Sequence, residues 1–457
     1  MIALLLLVAG GAVATRSIDR GPAHPDEWDP RVADLAAYVE RTRDLDFDHP
    51  VYVDFLSPSD YTAATTTEED ALDDEGRAEL DRYAGQLRAL GVAEGDIDLF
   101  RAFNQVSDDG TLAFYDPAER RVKVRGTELT VGLRVTLVHE LTHALQDQHF
   151  DVERLYDEDL DDGAAAALRA LIEGDAMRIE QHYTDEELTA EEQQAYDDEY
   201  SNQIEESTDA LSDVPAFLNA TFGVPYAFGQ PLVLMIANDG GNPAVDEAFE
   251  DPPTTEEHLF DPASFLAGEG SDEVDLKLGD DVEVLEEGQL GSPAWYLVLA
   301  ERIDPKVAFE ATLGWGGDAF AAFERGKRSC LRAAFDGDTE RDEREMASAL
   351  TAWAAAMPGG RVKVTETDGH PTVEACDPGP EVDLALTNRS EDALYLPTLW
   401  GFLVADAATA VDADAARCYA GQVVAGLTWE QISDPEGAVF QTDEFQELAT
   451  EAFASCA

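Results

Sequence analysis

The chain is short of positive charge. Of its 457 residues only 30 are Lys or Arg, against 97 Asp plus Glu, giving a formal net charge of −67. Lysine is nearly missing, with Lys123, Lys277, Lys306, Lys327 and Lys363 the full set. A surface this acidic repels phosphate, so nucleic acid and anionic bilayer surfaces are excluded as partners. The acids are spread along the chain and not gathered in a tail. Such a protein is stable against its own repulsion only where salt screens it, and at molar salt the Debye length is about 3 Å. The composition is therefore expected of a protein adapted to concentrated salt, with an acidic cation buffer as the other reading. Apolar residues are not lacking, at 44%, which excludes disorder for the bulk of the chain.

Cysteine is scarce and late. Cys330, Cys376, Cys418 and Cys456 all fall in the last third, and no C-x-x-C pair exists. That excludes a thiolate zinc knuckle. Long apolar runs are also missing. The run Ile2 to Ala14 is too short for a comfortable span and ends in the small-x-small form Ala12-Val13-Ala14. Residues 1–20 are thus expected to be an export signal or N-terminal anchor, the one route to a membrane. The expected location is extracellular or on the cell surface. An even cysteine count in an exported chain suggests two disulfides. Three pairings are possible, and sequential pairing, Cys330 with Cys376 and Cys418 with Cys456, is preferred. Sequons at Asn219 and Asn388 fit a surface location.

The apolar spacing predicts a helix over Val32 to Arg43, a strand over Val51 to Leu56 and an acidic helix from Glu68 to Leu90, stopped by Gly91. Ile97 to Val106 and Thr111 to Tyr115 read as strands about the turn at Asp108-Asp109-Gly110, and Arg121 to Arg125 as a short strand. Together these suggest a small antiparallel sheet with a helix packed on it. Helices follow at Leu133 to Phe150 and Gly163 to Tyr183, then an exposed acidic excursion over Asp185 to Asp209. Pro215 to Ala356 reads as mainly helical, broken by a proline- and acid-rich loop over Asp251 to Asp261 that a short strand-like stretch follows. After Gly359-Gly360 the pattern predicts a strand, Arg361 to Thr365, and helices at Asp412 to Val424 and Asp443 to Phe453. The expected class is α+β, mainly helical: a sheet and paired helices over 30–186, a helical subdomain over 187–358, and a disulfide-linked helical module over 359–457.

The chemistry concentrates at His139-Glu140-Leu141-Thr142-His143, an H-E-x-x-H inside an apolar helix. Residues i and i+4 lie one turn apart on one helix face, so both imidazoles can reach one Zn²⁺. Glu140 projects beside them as a base for water activated by the metal. A third ligand is required. His149 stands on another face, and the glycine turn of the metzincin pattern is absent. Glu173, a lone acid closing the apolar run Ala164 to Ile172, is the expected ligand; Asp175, Glu180 and His182 are the alternatives. A bare buried carboxylate needs a partner. Asp175 fits either a group that orients a ligand or an exposed acid.

H-E-x-x-H on one helix with a glutamate on the next resembles the gluzincin class of zinc peptidases. More narrowly, the chain is similar to a group of predicted secreted or surface proteins of bacteria and haloarchaea. They share the string from His139 to Asp151 (HELTHALQDQHFD) and Glu173 to Ala176 (EGDA). Further matches are Phe114 to Pro117, Pro225 to Gly229, Pro252 to Glu257 and Gly314 to Asp318, so the likeness covers roughly residues 30 to 355. It implies a zincin-like fold and peptide hydrolysis with Zn²⁺, on a peptide or protein substrate. The group carries a His-Pro after its Pro-Pro-Thr segment; here that position is Asp261-Pro262, with His258 three residues earlier.

Peptide hydrolysis also needs a donor for the oxyanion. Tyr226 and His258 are the candidates; Tyr226 reads better as an aromatic anchor between Pro225 and Gly229, and His258 equally as exposed in an acidic loop. Strand 121–125 is a candidate edge for strand addition by an extended substrate, or a solvated edge. Asp336 to Glu340 lacks the twelve-residue pattern of a calcium loop and reads as an acidic turn. The reading from another class is a non-catalytic surface or binding protein that keeps the zincin fold. Glu140 argues against it, since a structural metal site has no use for a base.

Overall fold

The structure is a computed structural model that describes residues 24–109, 111–152, 154, 160–279, 282–358, 362–435 and 437–456. The expected export segment and the glycines at 359 and 360 lie outside the described residues. The chain begins with α1 (Ala33–Arg43), β1 (Tyr52–Leu56), α2 (Pro58–Thr65), α3 (Asp74–Leu90) and α4 (Leu99–Asp109). Then come β2 (Ala113–Asp116), β3 (Arg121–Arg125), α5 (Val131–Phe150), α6 (Asp162–Glu186), α7 (Ala190–Ala210) and α8 (Ala216–Glu250). The architecture is α+β and mainly helical.

Two expectations for the first region are corrected. Residues 97–106 are not a strand: α4 buries Leu99, Ala102, Phe103 and Val106, the i, i+3, i+4, i+7 set of a helix face. The sheet is also not purely antiparallel. Its order is β1-β3-β2, with β1 parallel to β3 and β2 antiparallel to it. Strand 121–125 is therefore central and offers no free edge; the edge that borders α5 is β2.

The second region runs α9 (Glu257–Phe260), α10 (Pro262–Ala267), β4 (Val284–Gly288), α11 (Ser292–Ala300), α12 (Pro305–Thr312), β5 (Trp315–Arg325), β6 (Arg328–Gly337) and α13 (Glu340–Ala356). It closes with β7 (Val362–Thr367), β8 (His370–Cys376), α14 (Arg389–Ala393), α15 (Tyr395–Ala407), α16 (Ala413–Gly426), α17 (Trp429–Ile432) and α18 (Asp443–Cys456). Residues 315–337, expected to be helical, form the long hairpin β5–β6 in a five-stranded sheet ordered β4-β5-β6-β8-β7. The module expected from 359 onward is not separate. Its strands β7 and β8 complete that sheet, and the Cys330–Cys376 disulfide joins β6 to β8. The other disulfide is Cys418–Cys456, tying α16 to α18, so both pairs are the sequential ones.

Two hydrophobic cores result. The smaller gathers α1, the three-stranded sheet and the apolar face of α5, with Val122, Val124, Leu137, Val138, Leu141 and Leu145 at its centre. The larger holds α6 residues Leu168, Ala170 and Leu171, with Phe217, Phe228 and Leu232 of α8 and the five-stranded sheet. Helices α5 and α6 therefore face each other across the seam between the cores. By length and composition α8 is apolar enough to cross a membrane, yet 56% of its most apolar window is buried, as in the core helix of a folded domain. It is interrupted at Gly241 by non-helical backbone (φ 68°, ψ −156°). Its crossing with α6 is a main-chain contact: a Cβ on Gly174 would lie 2.1 Å from the Gly229 carbonyl oxygen, and one on Gly229 2.0 Å from that of Ala170. Only glycine fits at either place.

Candidate metal centre

Helix α5 starts where the Thr130 hydroxyl accepts from the Leu133 amide, at 3.2 Å. Its motif then falls at mid-helix, where one turn sets His139 and His143 side by side, ring centroids 4.6 Å apart. Helix α6 is capped by Asp161, which accepts from the Ala164 amide at 2.8 Å, and three turns later delivers Glu173. One oxygen of Glu173, Oε2, stands 3.2 Å from Nε2 of His139 and 3.3 Å from Nε2 of His143. The three residues form a group able to hold a metal ion. All are nearly buried, with Glu140 beside them.

The far side of each ring is held. Nδ1 of His143 is 2.9 Å from Gln146 Oε1. The amide nitrogen of Gln146 donates to the Ile172 carbonyl at 3.1 Å and to Asp175 Oδ2 at 3.0 Å. With its nitrogen committed twice, Gln146 presents its oxygen to His143 and so requires a proton on Nδ1. The Nε2 lone pair is thereby left for a ligand. Nδ1 of His139 stands 3.0 Å from Glu180 Oε2, which fixes the same tautomer. Glu180 in turn accepts a hydrogen bond from Tyr196 on α7.

Asp175 is fully buried and not an exposed acid. It accepts from Nε of Arg43 at 2.8 Å and from Arg178 at 2.9 Å. Burial alone would raise its pKa, but the two guanidinium charges and the bonds from Arg43 and Gln146 hold it down at about 2. A chain of fixed groups thus runs from Arg43 through Asp175 and Gln146 to Nδ1 of His143, the nitrogen turned away from Glu173. Sequence reasoning did not find Arg43, Gln146 or the role of Glu180 behind His139. The signal for Gln146 was present: it lies three residues after His143, on the neighbouring turn of the same face.

The electrostatics follow from burial and from these pairs. Burial opposes ionisation of Glu173, yet the two imidazoles hold its carboxyl far below the usual range. Burial lowers His139 and His143, and the bonds and charge of the carboxylates raise both above the usual histidine value. Glu140 is pushed up, chiefly by burial, with the imidazoles offsetting part of the effect. Its Oε2 accepts from the Tyr115 amide of β2 at 2.7 Å, so the sheet edge orients the carboxylate.

Tyr226 comes to the site with α8, its ring centroid 6.4 Å from that of His139. Burial, then the charge of Glu173, holds its phenol well above the usual value, so it stays protonated. His258 is not brought there. It is buried, pairs through Nδ1 with Ser264 Oγ at 2.7 Å, meets Phe265 edge-on, and is lowered to about 4 by burial alone. Its described side-chain contacts are thus with α10, through Ser264 and Phe265. His149 lies 2.8 Å from the Asp46 carbonyl, and His182 is exposed beside Glu186.

Beyond Tyr196, its neighbour Tyr200 stacks at 5.9 Å and lines a groove of about 910 Å³ between α4, α7 and the start of α8. Asn219, the first expected sequon, lines it too; it lies within α8, and its Oδ1 is buried without a hydrogen bond. Comparison with family models, curated proteins and solved structures found no match for this chain.

Proposed function

We propose that the chain is a zinc-dependent peptidase of gluzincin type, exported or at the cell surface and working in concentrated salt. The observation that carries this reading is the convergence of two imidazole nitrogens and one carboxylate oxygen, 3.2 and 3.3 Å apart, with a buried glutamate beside them. The donor set fits the ion. Two nitrogens and one oxygen are the protein ligands of known catalytic zinc sites, and ligands about 2.1 Å from a tetrahedral centre are about 3.4 Å apart. Both rings are also locked with Nε2 free to bind. When bound by His139, His143 and Glu173, zinc supplies a Lewis acid that acidifies water and polarises a carbonyl.

The remaining work falls to the chain's own groups. Glu140, held by the Tyr115 amide through one oxygen, takes a proton from the attacking water and returns it to the leaving amine. Burial, which raises its pKa, favours taking that proton. Tyr226, protonated throughout, donates to the oxygen on which charge develops. Tyr200 and Ile204, both half-exposed, line the groove beyond Tyr196 and offer apolar contact to a chain that reaches it. Two disulfides fit an oxidising, extracellular setting.

The test compares wild type with Glu140→Gln in about 2–4 M salt, where the surface charge is screened. Zinc content and cleavage of a mixed peptide library are measured on both. Zinc in both with cleavage only by wild type is the expected result. Zinc in both and cleavage by neither supports a binding protein, and folded wild type without zinc at this centre overturns the proposal.

A further inference from the structure

The five-stranded sheet carries a second set of convergent ligands. Asp336 stands near the end of β6, Glu343 in the first turn of α13, and His370 opens β8 directly after the turn at Asp368-Gly369. Nδ1 of His370 is 3.2 Å from Asp336 Oδ1 and 3.4 Å from Glu343 Oε1. One ligand atom from each residue lies within 4.8 Å of the other two. These separations match the edge of a tetrahedron, about 3.4 Å, built on metal–ligand bonds of about 2.1 Å. The nitrogen itself is buried and makes no hydrogen bond, since neither carboxylate is placed to accept one. A buried nitrogen facing two anions at coordination spacing, yet bonded to neither, is suited to a cation set between them.

The surroundings agree. Negative charge is in surplus here: burial, then the charges of Asp342, Glu269 and Asp336, push the neighbouring Asp338 above its usual value. The three ligands keep 20 to 27% of their side-chain surface exposed, which leaves a way in. They also come from three elements that no disulfide ties at this end. Cys330 and Cys376 pair across β6 and β8 and are cross-linked, whereas Asp336 and His370 stand at the opposite end of the same two strands.

We propose that Asp336, Glu343 and His370 bind a second divalent ion of the zinc class, as a clip that closes the free end of the β6–β8 pair onto α13. One imidazole nitrogen with two carboxylate oxygens suits zinc, whereas Ca²⁺ takes six to eight oxygens. This site does not depend on the peptidase reading.

The test uses the full chain, dialysed in about 2 M salt so that diffuse attraction to the acidic surface is screened. Zinc retained after gel filtration is counted. Wild type is expected to hold two ions, and His370→Ala and Glu343→Gln one each. A His139→Ala/His143→Ala variant is expected to hold one, lost on adding Glu343→Gln. In that double variant zinc should raise the melting temperature by a few degrees. The proposal is overturned if the folded double variant holds none, or if His370→Ala and Glu343→Gln each hold as many ions as wild type. Where the double variant does not fold, the ion count of Glu343→Gln against wild type decides between one site and two. Absence of peptide cleavage in every variant would sink the peptidase reading and leave this count unchanged.

Discussion

Glu173 and Asp175 sit two residues apart on α6, both buried and both held ionised, but by different means. Asp175 faces Arg43 and Arg178, whose charges are permanent. Glu173 faces His139 and His143, whose protons can leave, and the neutral phenol of Tyr226. The first arrangement is complete as it stands. The second keeps its negative charge while freeing two nitrogen lone pairs, which is what a cation requires. One helix turn thus carries a structural carboxylate and a carboxylate kept available, and the choice of counter-ion separates them.

The sharpest way to probe the available side is Glu140→Gln, which removes the proton acceptor and keeps the shape. Peptide hydrolysis should fall by about 10²–10⁴-fold, with zinc content and melting temperature nearly unchanged. The same substitution at Asp175 should do the reverse. Asp175→Asn leaves Arg43 and Arg178 short of a buried counter-charge, at a cost of about 3–5 kcal/mol, read from denaturant unfolding in concentrated salt. If Asp175→Asn instead abolished zinc binding at unchanged stability, the contrast would be wrong. Glu180→Gln should lower zinc affinity by about 10–100-fold, because Glu180 orients the His139 ring; competition with a chelator measures it. The smallest effect is an acid one. With Asp175 lowered from 3.8 to about 2, the unfolded chain binds the extra proton first. That contribution is fully present above about pH 4 and lost as pH falls through about 2, a loss of about 2 kcal/mol. Wild type should show this dependence and Asp175→Asn should lack it.

Local features of this site were legible and distant ones were not. H-E-x-x-H and the lone acid of the next helix are statements about one turn and one apolar run, and they stand together in space. Arg43 pairs with Asp175 across 132 positions, a distance at which a single sequence holds no spacing to read. The hairpin β5–β6 was missed for another reason. Both its faces are covered, so Ala319, Phe320, Ala321, Ala322 and Phe323 show no alternation, and a run rich in alanine resembles a helix. For α4 the helical spacing of Leu99, Ala102, Phe103 and Val106 was present, but the turn residues after it favoured a hairpin. His258 shows the limit for single residues, since a histidine among acids looks exposed until Ser264 and Phe265 are seen to enclose it.

The glycine crossing of α6 and α8 also acts as a fulcrum. Gly174 adjoins Glu173, and Gly229 lies one turn from Tyr226, so main-chain thickness sets the gauge between them. From Gly229 back to Ala216 the helix extends about 20 Å, as far as Asn219 and the groove. A tilt of about 5° at the crossing would move that end by roughly 2 Å over this lever arm, while Tyr226, close to the pivot, would hardly shift. The geometry around Tyr226 at the pivot and that of the groove at the tip could then drift independently over evolution, the first nearly fixed and the second free to vary.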